Sequence, residues 1–258
     1  MQTAVLLSGG LDSAVLVAEE AASGEVQPVY VSVGLAWEAA EQAIVRRLLS
    51  GAPLVGRVRP LVSLSIDMRD VYAATHWAVQ GHPPAYHTPD TDVYLPGRNV
   101  ILIGKAAVYC AAAKIDRLVL GTLAHNPFPD ATPEFRAAMA HTLSLGLDHP
   151  LRIDAPYAST TKADVIRRGA ALGVPFELTL SCMNPPHSAL CTLHPAPRTL
   201  HPAPCTPHPA PCTLHPAPCT PHPAPHCGAC SKCRERHDAF VEAGFRDPTA
   251  YATTVNLR

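Results

Sequence analysis

The chain has 258 residues, of which 47% are hydrophobic and 16% charged, with a formal net charge of -1. That length and apolar content allow one α/β domain with a small appendage, and the balanced charge predicts no general attraction to nucleic acid or to an acidic membrane. The sequence has neither a run of about 20 apolar residues nor a basic segment followed by a long apolar stretch, so we expect no membrane span, no export signal and a cytoplasmic protein.

Apolar strand patterns alternate with helix patterns from residue 3 to residue 172. The predicted strands are 3–7, 27–33, 61–66, 117–121 and 151–153. The predicted helices are 11–22, 36–50, 98–113, 132–145 and 160–172, and residues 67–97 are predicted to form a loop. Continuous apolar strands between helices are typical of a parallel sheet covered by helices on both faces, with right-handed crossovers.

The first predicted strand runs directly into the turn Ser-Gly-Gly-Leu-Asp-Ser at residues 8–13. In a parallel sheet, ligands bind at the carboxyl ends of the strands, where helix N-termini present unpaired N–H groups to anions. Glycines let the backbone approach an anion closely, and Asp12 fits beside phosphates if a magnesium ion bridges them, or else caps backbone N–H groups. The alternative is an ordinary strand-to-helix turn with a serine cap. The predicted nucleotide-binding residues are Leu7, Ser8, Gly9, Gly10, Leu11, Asp12 and Ser13.

Residues 8–13 match the Ser-Gly-Gly-x-Asp-Ser signature of the PP-loop ATP pyrophosphatases. This segment therefore resembles that family. The resemblance implies a Rossmann-like α/β domain that cleaves ATP between the α and β phosphates. The products would be an adenylated substrate and pyrophosphate.

Cys227, Cys230 and Cys233 stand at the spacing of a knuckle that wraps one side of a tetrahedral zinc ion. Candidates for the fourth ligand are Cys182, Cys191, Cys205, Cys212, Cys219, His226 and His237. Subtracting residues 187–221 leaves Cys-x9-Cys-x2-Cys-x2-Cys beginning at Cys182. We therefore predict a zinc site of Cys182, Cys227, Cys230 and Cys233, with free thiols or a redox pair as the alternatives.

A heptapeptide repeat occupies residues 187–226, with copies starting at His194, His201, His208, His215 and His222. Half of the chain's 28 prolines lie in 185–226, which predicts an extended, solvated, polyproline-like tract. A metal-binding function for its His and Cys residues is possible on composition alone. We favour an inert insertion, because long surface loops cost little closure entropy.

Outside the repeat the chain resembles the 7-cyano-7-deazaguanine synthases of the queuosine pathway. The matching segments are Pro-Gly-Arg-Asn at 96–99, Pro-Asp at 129–130, Glu-Phe at 134–135, Leu-Ser-Leu-Gly at 143–146, Ala-Pro at 155–156, Thr-Lys-Ala-Asp at 161–164 and the four cysteines. The resemblance implies conversion of 7-carboxy-7-deazaguanine and ammonia to the nitrile with ATP, magnesium and zinc. It also implies small-molecule partners rather than nucleic acid, and a homodimer.

The resemblance assigns catalytic roles to Asp12, Arg98 and Lys162 and adds Gly97 and Asn99 to the nucleotide-binding set. Arg98 and Lys162 would offset charge on the phosphates and the acyl oxygen. Taken alone, Arg98 can be a loop salt bridge and Asn99 a helix N-cap. Residues 161–164 can likewise be a capping box.

Two segments depart from the family pattern. Residues 32–37 read Ser-Val-Gly-Leu-Ala-Trp instead of Asp-Tyr-Gly-Gln-Arg-His, and residues 123–132 lack the family's first Asp, its Cys and its Arg. These departures leave open a paralogous PP-loop enzyme that adenylates another carboxylate or thiolates tRNA. A non-catalytic zinc-binding scaffold is the alternative from another class.

These patterns divide the chain into a PP-loop domain (1–181), a zinc-binding region (182–245) interrupted by the repeat at 187–226, and a tail (246–258).

Deleting residues 187–221 should leave ligase activity and zinc content unchanged and should slightly raise the melting temperature. The physical reason is that loop closure costs only about 0.6 kcal/mol per doubling of loop length. Product formation, metal analysis and thermal denaturation of the deleted protein check this. A folded, zinc-containing but inactive protein would show that the repeat contacts a substrate or a partner.

Overall fold

The computed structural model describes residues 2–124, 126–186 and 226–253, so the repeat predicted at 187–226 lies outside the described residues except for His226. The strands are β1 (Gln2–Leu6), β2 (Glu25–Ser32), β3 (Val62–Ser65), β4 (Arg117–Val119) and β5 (Arg152–Asp154). All neighbouring strands are parallel, in the order β3-β2-β1-β4-β5.

The helices are α1 (Leu11–Ser23), α2 (Glu38–Ser50), α3 (Trp77–Gln80), α4 (Arg98–Ala113), α5 (Pro133–Leu147), α6 (Lys162–Ala171) and α7 (Ser231–Ala243). Single 3-10 turns lie at Asp90–Val93, Pro129–Ala131 and Phe176–Leu178. Among the described residues, no helix is long and apolar enough to cross a membrane.

The predicted α/β class is confirmed, because a parallel sheet is covered by helices on both faces. Successive strand residues point to opposite faces. Ala4 packs in one apolar cluster with α4 and α5, whereas Val5 packs in the other with α1, α2, α6 and α7. Leu118 and Val119 divide between the two clusters in the same way.

The strand order reverses at β1. β2 and β3 lie on one side of it and β4 and β5 on the other, which opens a crevice at the carboxyl ends of β1 and β4. Gly121 follows β4 at this crevice, and a Cβ built there would lie 3.3 Å from the carbonyl carbon of Asp12. The turn after β4 therefore lies directly against the glycine-rich turn after β1.

Helices α1 and α6 approach each other closely at Gly169. A Cβ added at this position would lie 2.6 Å from Cγ2 of Val15 and 2.8 Å from Cζ of Phe176. Only glycine fits this contact without displacing a neighbour, and α6 carries the predicted site residue Lys162 at its first position.

Gly169→Ala should lower the free energy of unfolding by about 1–3 kcal/mol, because the added methyl overpacks the contact between α1 and α6. Urea denaturation measures this. The matched control is Gly104→Ala in α4, where an added Cβ meets nothing within 4 Å. That change should instead stabilise the protein by about 0.5–1 kcal/mol through helix propensity, and a similar effect at both positions would contradict the packing argument.

Candidate functional site

The glycine-rich turn between β1 and α1 is held by its own backbone and hydroxyl groups. Gly9 has φ +80°, a conformation that L side chains rarely adopt, and its carbonyl oxygen accepts the Leu180 N–H at 2.8 Å. The Ser13 hydroxyl donates to the Gly10 carbonyl at 3.0 Å, and Ser8 Oγ lies 3.3 Å from Ser13 Oγ. The turn is thus fixed with both hydroxyls beside the first turn of α1, whose N–H groups are open to an anion.

Helix α2 also packs against this turn. A Cβ on Gly9 would lie 2.8 Å from Cγ2 of Ile44 and 2.9 Å from Cγ2 of Val45. Position 9 therefore requires glycine for a steric reason as well as for its φ, since α2 occupies the space that a side chain there would need.

Asp12 and Lys162 form a charge pair across the crevice. Lys162 Nζ lies 3.4 Å from Asp12 Oδ2 and also bonds to Glu235 on α7. Glu235 in turn accepts a bond from Lys232 at 2.6 Å. The chain of charges joins α1, α6 and α7.

Burial raises the pKa of Asp12, and the charge of Lys162 opposes that shift. Burial alone would lower the pKa of Lys162, but Asp12 and Glu235 outweigh it, so its pKa is raised and the ammonium stays charged. Asp12 Oδ1 is buried and has no hydrogen-bond partner among the described residues. An unpaired carboxylate oxygen beside an anion-binding turn fits a magnesium ion, which prefers oxygen ligands and is commonly shared with substrate phosphates.

The opposite wall of the crevice begins at the N-terminus of α4. Gly97 precedes the helix with φ 77°. The Asn99 side-chain amide donates to the carbonyl and to Oδ1 of Asp130, at 3.1 and 3.2 Å. Asn99 therefore does not cap α4 but fastens it to the loop around Asp130.

Arg98, the first residue of α4, faces the crevice. Its Nε is buried without a hydrogen-bond partner, and no ion pair to it occurs within the described ranges. Among the described residues, Arg98 therefore does not form the loop salt bridge that was the alternative prediction. An unpaired guanidinium in a cleft can bind an anionic ligand.

A cavity of about 310 Å³ lies between these two walls. Its polar lining includes Ser8, Asp12, Ser13, Arg98, Asn99 and Asp130. Tyr94 and Phe128 also line it and stack on each other, with ring centroids 5.0 Å apart. The cavity thus combines the glycine-rich turn at one end with an aromatic surface, and polar groups beside aromatic rings are common in small-molecule sites.

The four predicted zinc ligands come together. Their sulfur atoms lie within 4.8 Å of one another. Cys182, Cys230 and Cys233 are buried, and Cys227 is partly exposed. A cluster of four thiols with no disulfide is the donor set of a structural zinc site.

Backbone N–H groups point at these sulfurs. Cys182 Sγ accepts from Cys227 N at 3.2 Å and from Asn184 N at 3.3 Å, and Cys227 Sγ accepts from Ala229 N at 3.4 Å. Such bonds stabilise thiolates around a metal. His226 instead accepts the Ser181 N–H, and His237 pairs with Asp238, so neither joins the cluster.

Of the predicted site residues, those that line the cavity are Leu7, Ser8, Gly10, Asp12, Ser13, Arg98 and Asn99, and Lys162 reaches Asp12 from α6. Gly9, Leu11 and Gly97 do not line it. Thr161 caps α6 by accepting the Asp164 N–H, so residues 161–164 also form the expected cap. Residues that sequence reasoning did not single out are Tyr30 and Glu41 in the cavity and Glu235 on α7. For Glu41 the sequence holds no distinguishing signal, because the buried face of α2 carries Glu38 as well.

Comparison with known proteins identifies the family. Residues 2–197 match the family model described as Queuosine biosynthesis protein QueC. A 7-cyano-7-deazaguanine synthase from Anaeromyxobacter dehalogenans is 30% identical over 96% of this chain and 94% of its own length. One from Methanopyrus kandleri is 31% identical over 96% of this chain and 98% of its own length.

These matches extend over the glycine-rich turn, the Pro-Gly-Arg-Asn segment and the helices that frame the cavity. Both relatives match this chain over almost their whole length. The chain belongs to the family of Queuosine biosynthesis protein QueC.

Proposed function

We propose that the protein is an ATP-dependent carbon–nitrogen ligase of the cytoplasm that converts 7-carboxy-7-deazaguanine and ammonia to 7-cyano-7-deazaguanine. The observation that carries the proposal is Asp12, whose buried Oδ1 has no partner beside an anion-binding turn. The relatives named as 7-cyano-7-deazaguanine synthases support the substrate. A small-molecule substrate also fits a cavity with stacked aromatic rings.

The chemistry requires two activations. A carboxylate is a poor acyl donor because oxide would have to leave. Its oxygen therefore attacks the α phosphorus of ATP, the bond to pyrophosphate breaks, and the resulting acyl adenylate has AMP as a leaving group. Ammonia then forms the amide, and a second adenylation at the amide oxygen permits loss of AMP and a proton to give the nitrile.

The residues in and beside the cavity have separate roles in this chemistry. The turn at 8–13 and the N-terminus of α1 hold the phosphates, and Lys162 offsets the negative charge that grows on them. Asp12 would hold a magnesium ion, which supplies charge neutralisation for the phosphates when bound. Arg98 is placed to bind the acyl oxygen or the carboxylate itself.

Zinc in the four-cysteine cluster would be structural. Four thiolates complete a tetrahedral shell and leave no open position for a substrate. In this assignment residues 182–245, apart from the repeat, form a region that the metal would hold together. Helix α7 attaches this region to the PP-loop domain (1–181).

A paralogue with another carboxylate substrate is the second candidate. Segment 123–132, which departs from the family pattern, contributes Asn126, Phe128 and Asp130 to the cavity lining. Substrate selectivity is therefore the part of the proposal that mass spectrometry of products from ATP, ammonium and 7-carboxy-7-deazaguanine must test. Nitrile formation supports the proposed substrate, and adenylation of a different acid supports the paralogue.

Asp12→Ala should reduce carboxylate-dependent exchange of pyrophosphate into ATP by about 100-fold or more, the scale for losing one preorganised electrostatic contact. Radiolabelled pyrophosphate exchange measures this, with thermal denaturation to verify the fold. Asp116→Ala, which changes an exposed carboxylate outside the cavity, is the control and should exchange normally. Normal exchange by folded Asp12→Ala protein would remove Asp12 from the mechanism.

Cys182→Ser should abolish stoichiometric zinc and lower the melting temperature, because metal binding in such clusters supplies about 10–16 kcal/mol of apparent free energy. A variant with Cys191, Cys205, Cys212 and Cys219 all changed to Ser should keep one zinc per chain. Metal analysis of the purified proteins gives the result, and Cys110→Ala, which changes a buried thiol elsewhere, controls for nonspecific destabilisation. Zinc loss in the fourfold variant would assign the fourth ligand to the repeat.

A further inference from the structure

Glu41 is a buried carboxyl group at the wall of the cavity, and nothing in the proposed adenylation step uses it. It lies in the first turn of α2, with 7% of its surface exposed, and lines the cavity. Its backbone carbonyl would lie 3.4 Å from a Cβ on Gly9. Glu41 is therefore next to the turn that is expected to hold the phosphates.

The neighbouring buried glutamate shows what a purely structural carboxylate looks like in this helix. Glu38 accepts the Val33 N–H at 2.8 Å and the Gly34 N–H at 3.1 Å, and it also accepts the Ser32 hydroxyl. Both of its oxygens hold the loop after β2. Glu38 does not line the cavity.

Glu41 is held differently. Its Oε2 accepts the Tyr30 hydroxyl at 2.8 Å, and Tyr30, itself 3% exposed, also lines the cavity. The bond fixes the orientation of the carboxyl group without enclosing it in backbone donors. Glu41 thus combines a fixed position with access to a ligand in the cavity.

Burial and the neighbouring charges together place the pKa of Glu41 near neutrality. Burial raises the pKa of Glu41 to about 7, while Arg98, the Tyr30 hydroxyl and Trp37 lower it and Glu38 raises it. A base with a pKa close to the working pH is suited to proton transfer. Arg98 lines the same cavity and has an unpaired Nε, so a carbonyl oxygen bound to Arg98 would lie in the cavity that Glu41 lines.

We propose that Glu41 is the general base that removes a proton from the ammonia nitrogen as that nitrogen bonds to the activated acyl carbon. The inference rests on the proposed function. In this step the N–C bond forms, one N–H proton passes to a carboxylate oxygen of Glu41, and the C–O bond to AMP breaks. The neutral carboxyl group then returns its proton to solvent.

The two half-reactions separate this role from that of the phosphate site. Glu41→Gln keeps the size of the side chain and an acceptor for Tyr30 but cannot take a proton. It should retain pyrophosphate exchange within about twofold and lose ammonia-dependent product formation by about 100-fold, the lower end for general base catalysis. Hydroxylamine, which is uncharged at neutral pH and a stronger nucleophile, should still trap the acyl adenylate in the variant.

The pH dependence gives a second readout. At a fixed concentration of free ammonia, the wild-type amidation rate should rise as pH increases through about 7, because Glu41 then loses its proton. Glu41→Gln should lack this rise. Tyr30→Phe removes a hydrogen bond that lowers the pKa of Glu41, so its rise should move to higher pH.

Glu38→Gln is the matched control, since it changes the other buried glutamate of α2 without touching the cavity. It should lower the melting temperature and keep the rise of the amidation rate with pH, moved to lower pH because the charge of Glu38 raises the pKa of Glu41. The proposal is overturned if folded Glu41→Gln amidates with ammonia at the wild-type rate, or if it loses pyrophosphate exchange together with amidation. A wild-type protein that shows no pyrophosphate exchange with any carboxylate tested would instead overturn the proposed function itself.

Discussion

The largely buried ammonium group of Lys162 joins parts of the chain that are far apart in sequence. Its ammonium group contacts Asp12 in the turn after β1 and Glu235 in α7, the helix that begins within the cysteine cluster. A buried charge loses several kcal/mol of hydration, and two carboxylates compensate for that loss here. Removal of one partner would leave an uncompensated charge, which costs about 3–5 kcal/mol, so the position of Asp12 depends on α6 and α7 as well as on its own helix.

This dependence links the position of Asp12 to the cysteine cluster. Cys230 and Cys233 bracket the start of α7, and Glu235 follows within one helical turn. A metal bound by these cysteines would hold the start of α7 in place, and with it the position of Glu235 relative to Lys162. The opposite wall has no such link, because α4 is attached through Asn99 and Asp130. One wall of the cavity is therefore linked to the cysteine cluster through Lys162 and Glu235, and the other is positioned by the loop around Asp130.

The sequence was sufficient for the sheet, the helices that alternate with its strands and the family, but not for the helices Trp77–Gln80 and Ser231–Ala243 or for every functional contact. Alternating apolar strands and helices predicted the sheet, because that pattern has few compact solutions. The helix at Ser231–Ala243 was not predicted, because its sequence is mostly polar. Phe240 and the fully buried Arg236 are nevertheless among its buried residues. Arg236 is buried because Asp247, Thr179 and the Phe176 carbonyl satisfy it, and no local pattern encodes partners so distant.

Glu41 illustrates the same limit within the site. On a helix of mixed apolar and charged residues, Glu38 and Glu41 look alike, and both are buried. Only the tertiary arrangement gives one of them backbone donors and the other a tyrosine hydroxyl and an open cavity. Lys162 was identified by its motif, yet its second partner, Glu235, lies 73 residues away and could not be read from spacing.

The hydrogen bonds between the two segments that flank the repeat have a consequence for how such chains are compared. Ser181 and Cys182 bond to His226 and Cys227 across 45 positions of sequence. In space Cys182 and Cys227 are neighbours, so the number of residues between them is not a property of the cluster. Two relatives can differ widely in length at this point and still share one donor geometry, and an alignment of them is best anchored on the cysteines rather than on the spacing that separates the first from the second.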